Sequence, residues 1–138
     1  MGQLQGKTAV ILGAASEGNM GQTIARLFAK EGAKVMVAGR KEAPLAALAK
    51  EIGGEYALCD ISKKPEVNAM ADKAVAAFGR VDIAINTTGW GLLASLEEIT
   101  DEQLDQIVDL QFKGVHHFLQ AFVRVMSAQA PTGGSLIS

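Results

Sequence analysis

Lys7-Thr8-Ala9-Val10-Ile11-Leu12, then Gly13-Ala14-Ala15-Ser16-Glu17-Gly18-Asn19-Met20-Gly21, then Gln22-Thr23-Ile24-Ala25-Arg26-Leu27-Phe28-Ala29-Lys30-Glu31: an apolar run passes through a glycine loop into a helical run. The first run predicts a buried strand over 8–12 and the last a helix over 21–31, closed by Gly32. A helix N-terminus offers free N–H groups and a positive dipole end, and glycine lets an anion come close to the backbone. The loop therefore reads as a cradle for a pyrophosphate, which points to a dinucleotide. A glycine turn also forms simply to let a helix pack on a strand, and the loop alone does not separate these readings. Its setting favours the cradle, because it lies inside a complete β-α-β unit.

The same alternation continues along the chain. Strands are expected over 34–38, 56–59, 81–86 and 135–138, and helices between them. The second helix starts near Pro44 and ends at Gly53-Gly54, and Ser62 can cap a third that begins near Pro65 and ends at Gly79. From Thr100, a suitable N-cap, one helix is expected to run to about Gln129. Near-continuous apolar strands alternating with helices predict a parallel sheet covered on both faces. Right-handed crossovers then give a Rossmann-type doubly wound α/β fold with strand order 3-2-1-4-5, the chain ending in the fifth strand. Residues 1–138 read as one dinucleotide-binding domain, with no linker or composition shift dividing them.

Bulk properties narrow the function. Hydrophobic residues make up 49% and charged residues 20% of the 138, which suits a folded globular domain. The formal charge of −2, with both signs interspersed, gives no support for nucleic acid or an anionic membrane as partner. Neither a membrane span nor a secretory signal is visible. The single Cys59 cannot form an internal disulfide, so a cytoplasmic location is expected. His116 and His117 are adjacent and point about 100° apart on a helix, so they do not share a ligand face; no metal site is expected.

The strand ends carry the remaining candidates. An acid about 20 residues beyond the glycines would bind ribose hydroxyls. Here the second strand ends Val37-Ala38-Gly39-Arg40-Lys41, with cations and no carboxylate. The Arg40 guanidinium can grip a 2′-phosphate in a forked geometry, which favours NADP(H) over NAD(H), although a solvated Arg is the plainer reading. Asp60, with Ile61 beside it, stands at the end of the third strand, where a carboxylate can accept from an adenine amino group or simply cap a turn. The fourth strand ends Asn86-Thr87-Thr88-Gly89-Trp90, side chains and a glycine suited to a cofactor lying close. Asn86 serves equally well as a clamp between strands, and Trp90 lines a substrate entrance or packs.

The ordered set GAASEGNMG, AGR, CDIS, NTTG and a long helix before GGSLIS resembles the short-chain dehydrogenase/reductase superfamily over the whole chain. That resemblance implies an oxidoreductase: hydride transfer between a nicotinamide cofactor and a carbonyl or alcohol. Two departures stand out. The common family loop is G-x-x-x-G-x-G, whereas Glu17 and Asn19 occupy its later glycine positions here and Gly18 and Gly21 follow. The longer loop resembles the enoyl-acyl-carrier-protein reductase branch, which implies phosphate and ribose contacts from Gly13, Ser16, Asn19, Met20 and Gly21 and makes an enoyl-thioester reductase the alternative activity. NTTG instead is similar to the NNAG of ketoreductase-type members, implying cofactor contacts from Asn86 to Gly89. In the long helix, Gln111 stands where many members carry a proton-relay Asn.

The family's catalytic Ser and Tyr-x-x-x-Lys pair are expected beyond Ser138, which falls about three residues short of that Ser. The one tyrosine, Tyr56, is not followed by Lys at the fourth position. The chain thus reads as the cofactor half of a longer enzyme, or as a non-catalytic nucleotide-binding protein if it ends at 138. Finally, Leu104, Ile107, Val108, Phe112, Val115, Phe118, Leu119, Phe122, Val123 and Met126 form a stripe wider than one packing face needs. A second subunit against the helix over 101–129, as in a homodimer or homotetramer, is expected from that width and from the resemblance.

Overall fold

The computed structural model describes residues 2–138. Five parallel strands, β1 (Thr8–Leu12), β2 (Lys34–Gly39), β3 (Glu55–Leu58), β4 (Ile83–Asn86) and β5 (Ser135–Ile137), form one sheet in the order β3-β2-β1-β4-β5. The order reverses direction at β1, which pairs with β2 from Thr8↔Lys34 to Leu12↔Ala38 and with β4 from Ala9↔Ile83 to Leu12↔Asn86. Its five residues are all buried, as a central strand covered on both faces requires.

The alternation of side chains sorts the core into two layers. Val10 and Leu12 of β1, with Met36 and Ala38 of β2, face α3 (Lys64–Phe78) and α5 (Gly114–Ala128). Ala9 and Ile11, with Val35 and Val37, face α1 (Met20–Lys30) and α2 (Glu42–Ile52). The first layer is centred on Phe118 and Phe122, both fully buried, with ring centroids 5.0 Å apart and tilted by 58°. Burial of one such ring stabilises the fold by about 2–3 kcal/mol.

Three local expectations change. α1 begins at Met20, a residue early, because Asn19 caps it: its Oδ1 accepts from Gln22 N–H at 2.9 Å. Ser62 does not cap α3; Lys63 holds that position without a side-chain bond, and the Ser62 hydroxyl donates to Asp60 at 2.7 Å. The helix expected from Thr100 to Gln129 is not continuous. It consists of α4 (Asp101–Val108), one wide π-type turn (Asp109–Lys113) and α5. Thr100 does cap α4, in a reciprocal capping box with Gln103. The stripe along this helix also divides. Phe118, Phe122 and Met126 go into the core, while Leu104, Val108, Phe112 and Val123 stay exposed.

Candidate functional site

The carboxyl ends of the strands open into a cavity of about 850 Å³. It lies beside the point where strand order reverses, since the loops after β1, β2, β3 and β4 all contribute to its wall. α4 and the wide turn close another side with Glu102, Asp105, Gln106, Asp109 and Leu110.

The glycine turn is held by its own side chains. Gly13 has φ +101°, and a Cβ there would lie 2.5 Å from Thr87 Oγ1. At Gly21 a Cβ would lie 2.7 Å from the Gly13 carbonyl oxygen and 2.8 Å from Thr87 Oγ1. These two glycines therefore let α1 and the loop after β4 close on the end of β1. Thr87 completes the junction by donating its hydroxyl to the Leu12 carbonyl at 2.8 Å. Asn19 Nδ2 donates to the Gly13 carbonyl at 2.7 Å, and the nearly buried Gln22 donates to the Ala14 carbonyl at 3.1 Å. The Ser16 hydroxyl, in contrast, lines the cavity and makes no hydrogen bond among the described residues.

Arg40 and Lys41 line the cavity beyond β2, and Arg40 has no ion-pair partner among the described residues. Asp60 lines it beyond β3. Partial burial pushes its carboxyl pKa up, but bonds from the Ser62 hydroxyl and N–H, with the charges of Arg40 and Lys63, outweigh this and hold it below the usual range. Both Ser62 bonds, at 2.7 and 3.0 Å, end on Oδ1. Ile61 is 2% exposed, yet its N–H finds no hydrogen-bond partner among the described residues. A buried N–H without a partner is uncommon. An open donor beside an open carboxylate oxygen matches the acceptor-and-amino edge of adenine. Neighbouring Cys59 is buried, its thiol pushed up to about 12 chiefly by burial and further by Glu66 and Asp60.

The structure brings together at this cavity Gly13, Ser16, Asn19, Arg40, Asp60, Ile61, Thr87, Thr88 and Gly89. Four other candidates stand outside its wall. Met20 is 65% exposed. Gly21 is buried beneath the turn. Asn86 bonds within the chain: its Oδ1 accepts from Thr88 N–H and hydroxyl, and its Nδ2 donates to Ser138 Oγ at 3.1 Å. Gln111, on the wide turn, donates to the Trp90 carbonyl at 3.0 Å. Sequence reasoning missed Gln22 and the acidic wall of α4. The spacing of Glu102, Asp105 and Asp109 at one helical face was the available signal.

Fold and cavity define a Rossmann-type α/β domain with its crevice at the switch point of the sheet. The family model described as Enoyl-(Acyl carrier protein) reductase matches residues 13–138. The chain belongs to this family of the short-chain dehydrogenase/reductase superfamily, a family of oxidoreductases. It is 37% identical over 133 residues to tropinone reductase-like 2 of Erythroxylum coca, covering 92% of this chain and 48% of the relative. A short-chain dehydrogenase from Mycobacterium smegmatis superposes with TM-score 0.91 at 27% identity, covering 99% of this chain and 58% of that one. An actinorhodin polyketide ketoreductase variant solved with NADPH superposes with TM-score 0.87 at 26% identity, covering 99% and 53%. The chain spans about half the length of the curated relatives it matches.

Proposed function

We propose that this chain binds NADP(H) for hydride transfer to or from a carbonyl or alcohol substrate. The observation that carries the reading is the cavity at the strand ends. It joins the glycine turn at the start of α1, a guanidinium after β2 and a donor–acceptor pair after β3, the last two without partners among the described residues. Each fits one part of the ligand: pyrophosphate at the turn, 2′-phosphate at Arg40, adenine at Asp60 and Ile61. When bound, the nicotinamide supplies the hydride; these residues bind and orient the cofactor and leave the chemistry untouched. Tyr56 does not serve as the proton-transfer group. Its hydroxyl donates to Glu42 at 3.0 Å, and that bond and charge raise its pKa, opposite to what a tyrosinate base needs. Tyr56 is therefore not the tyrosine of the family's Tyr-x-x-x-Lys pair.

Titration with NADPH and NADH, followed by fluorescence of the reduced nicotinamide, tests the reading. A charge-assisted forked contact should favour NADPH by roughly tenfold or more, and Arg40→Asp should erase or invert the preference. Equal dissociation constants in the unmutated protein would overturn the NADP(H) assignment.

A second reading, reduction of an enoyl thioester, is supported by the longer glycine loop and by the description of the matching family. Full-length protein that oxidises NADPH with a 2-enoyl thioester and not with ketones would replace the first reading. The exposed Leu104, Val108 and Phe112 further support pairing of α4 and the wide turn with a second copy. Phe112→Ser should then shift sedimentation equilibrium toward monomer, and an unmutated protein that is monomeric throughout would remove the idea.

A further inference from the structure

We propose that His117 is a positioning residue for adenine recognition, acting through the backbone of Ile61. His117 Nδ1 lies 3.3 Å from the Ile61 carbonyl oxygen. A carbonyl only accepts, so Nδ1 carries the proton and the imidazole donates. No other group among the described residues bonds this carbonyl. Ile61, which lines the cavity, thus has its C=O tied to α5 and its N–H without a partner among the described residues.

The approach that makes this bond is built into the helix. A Cβ at Gly114 would lie 3.1 Å from Ile61 Cγ2 and 3.2 Å from the Asp109 carbonyl oxygen. Absence of a side chain at 114 brings α5 against the loop after β3. His117 lies three residues on, on the same helical face, and meets the loop there. The wide turn immediately before Gly114 also carries Leu110 to the cavity wall. Neither Ile61 nor Asp60 belongs to a strand or helix, and the remaining local bonds are the Asp60–Ser62 turn, Lys63 N–H to the Asp60 carbonyl at 3.0 Å and Asp60 N–H to Glu66 Oε1 at 3.3 Å. The Lys63 bond holds the Asp60–Ile61 peptide, which carries the Ile61 N–H, and His117 holds the next peptide, Ile61–Ser62; together they fix the loop on either side of the Ile61 Cα and so the place of its N–H.

The proposal rests on the dinucleotide reading and sharpens it to one residue and one end of the ligand. NADPH offers adenine N1 as acceptor and its amino group as donor, complementary to Ile61 N–H and the Asp60 carboxylate. The hypoxanthine analogue reverses both groups, so it takes nothing from a well-aimed N–H. In the full chain, His117→Leu should weaken NADPH binding roughly three- to tenfold, the worth of one aligned hydrogen bond, and change hypoxanthine-analogue binding by less than about twofold. His117→Asn, which keeps a donor, should restore much of the adenine preference. If His117→Leu does not fold, His117→Phe, which keeps a ring and drops the donor, reads the same ratio. Unmutated protein that binds neither dinucleotide would remove the cofactor reading, and this inference with it. Binding of NADPH that is unchanged by the loss of the imidazole, or an equal loss for both ligands that Asn does not restore, would overturn the role of His117 alone.

Discussion

At the amino ends of β1 and β4, polar groups are matched within the chain; at the carboxyl ends of β1, β2 and β3, several are left open. Thr8 N–H donates to Asp82 Oδ2 at 3.0 Å and its hydroxyl to the Arg80 carbonyl at 2.7 Å. Arg80 closes on Asp82 Oδ1 at 2.8 Å and reaches the carbonyls of Ala130 and Pro131. Gln129 bonds both the N–H and the carbonyl of Val81, at 3.0 and 2.8 Å. The opposite end leaves Ser16, Arg40 and the Ile61 N–H without partners among the described residues. One end uses its polar groups to hold strands and termini of helices together, and the other leaves them open on the cavity wall.

The sharpest way to break this division is at the one point where the open end is also structural. Gly13→Ala places a Cβ against Thr87 in a backbone conformation that L side chains rarely adopt. It should destabilise the protein by about 2–5 kcal/mol in denaturant unfolding and remove NADPH binding with it. Asp82→Asn comes next and acts on the closed end. Burial alone raises the Asp82 carboxyl, but Arg80, Thr8 N–H and the Thr8 hydroxyl outweigh it and hold the pKa below the ordinary value. A carboxyl lowered in the folded state stabilises above its unfolded pKa of about 4 and loses that contribution as pH falls through the folded value. Asp82→Asn should cost about 1–3 kcal/mol at neutral pH. Its melting temperature should fall less steeply than that of the unmutated protein below about pH 4, while NADPH affinity stays the same. Arg40→Asp is the smallest in stability. An exposed side chain with no ion pair among the described residues should move unfolding by under about 0.5 kcal/mol while changing cofactor preference. A large stability loss there, or a binding loss at Asp82, would show that the two ends are not separate.

Much of the open end was readable in the chain before any coordinates, because it is built from local turns. The glycine loop, Arg40 after β2 and Asp60 after β3 are each placed by a strand ending, and strand endings follow from apolar runs of a few residues. Asn86 carries two readings, clamp and cofactor contact, and its side chain bonds Thr88 and Ser138. Gln22 escaped notice because a buried Gln inside a helix has no sequence signature; only the neighbouring Ala14 carbonyl explains it. The break after Val108 was equally silent. Leu110, Gln111 and Gly114 are compatible with a continuous helix, and the wide turn arises where the helix passes two loops that it contacts through Gln111 and Gly114.

The order of strands and helices, the two faces of the sheet and the place of the glycine turn were determined by the chain alone. Residue periodicity and helix-stop signals act over a few residues, and parallel crossovers have one hand. Tertiary structure decided which polar groups are tied and which stay open. The Ile61 carbonyl is bonded by His117 from α5, far away in sequence, while the Ile61 N–H and Asp60 Oδ2 find no partner among the described residues. Hydrogen bonds are satisfied by proximity in space, and only the folded chain brings residues 61 and 117 to 3.3 Å.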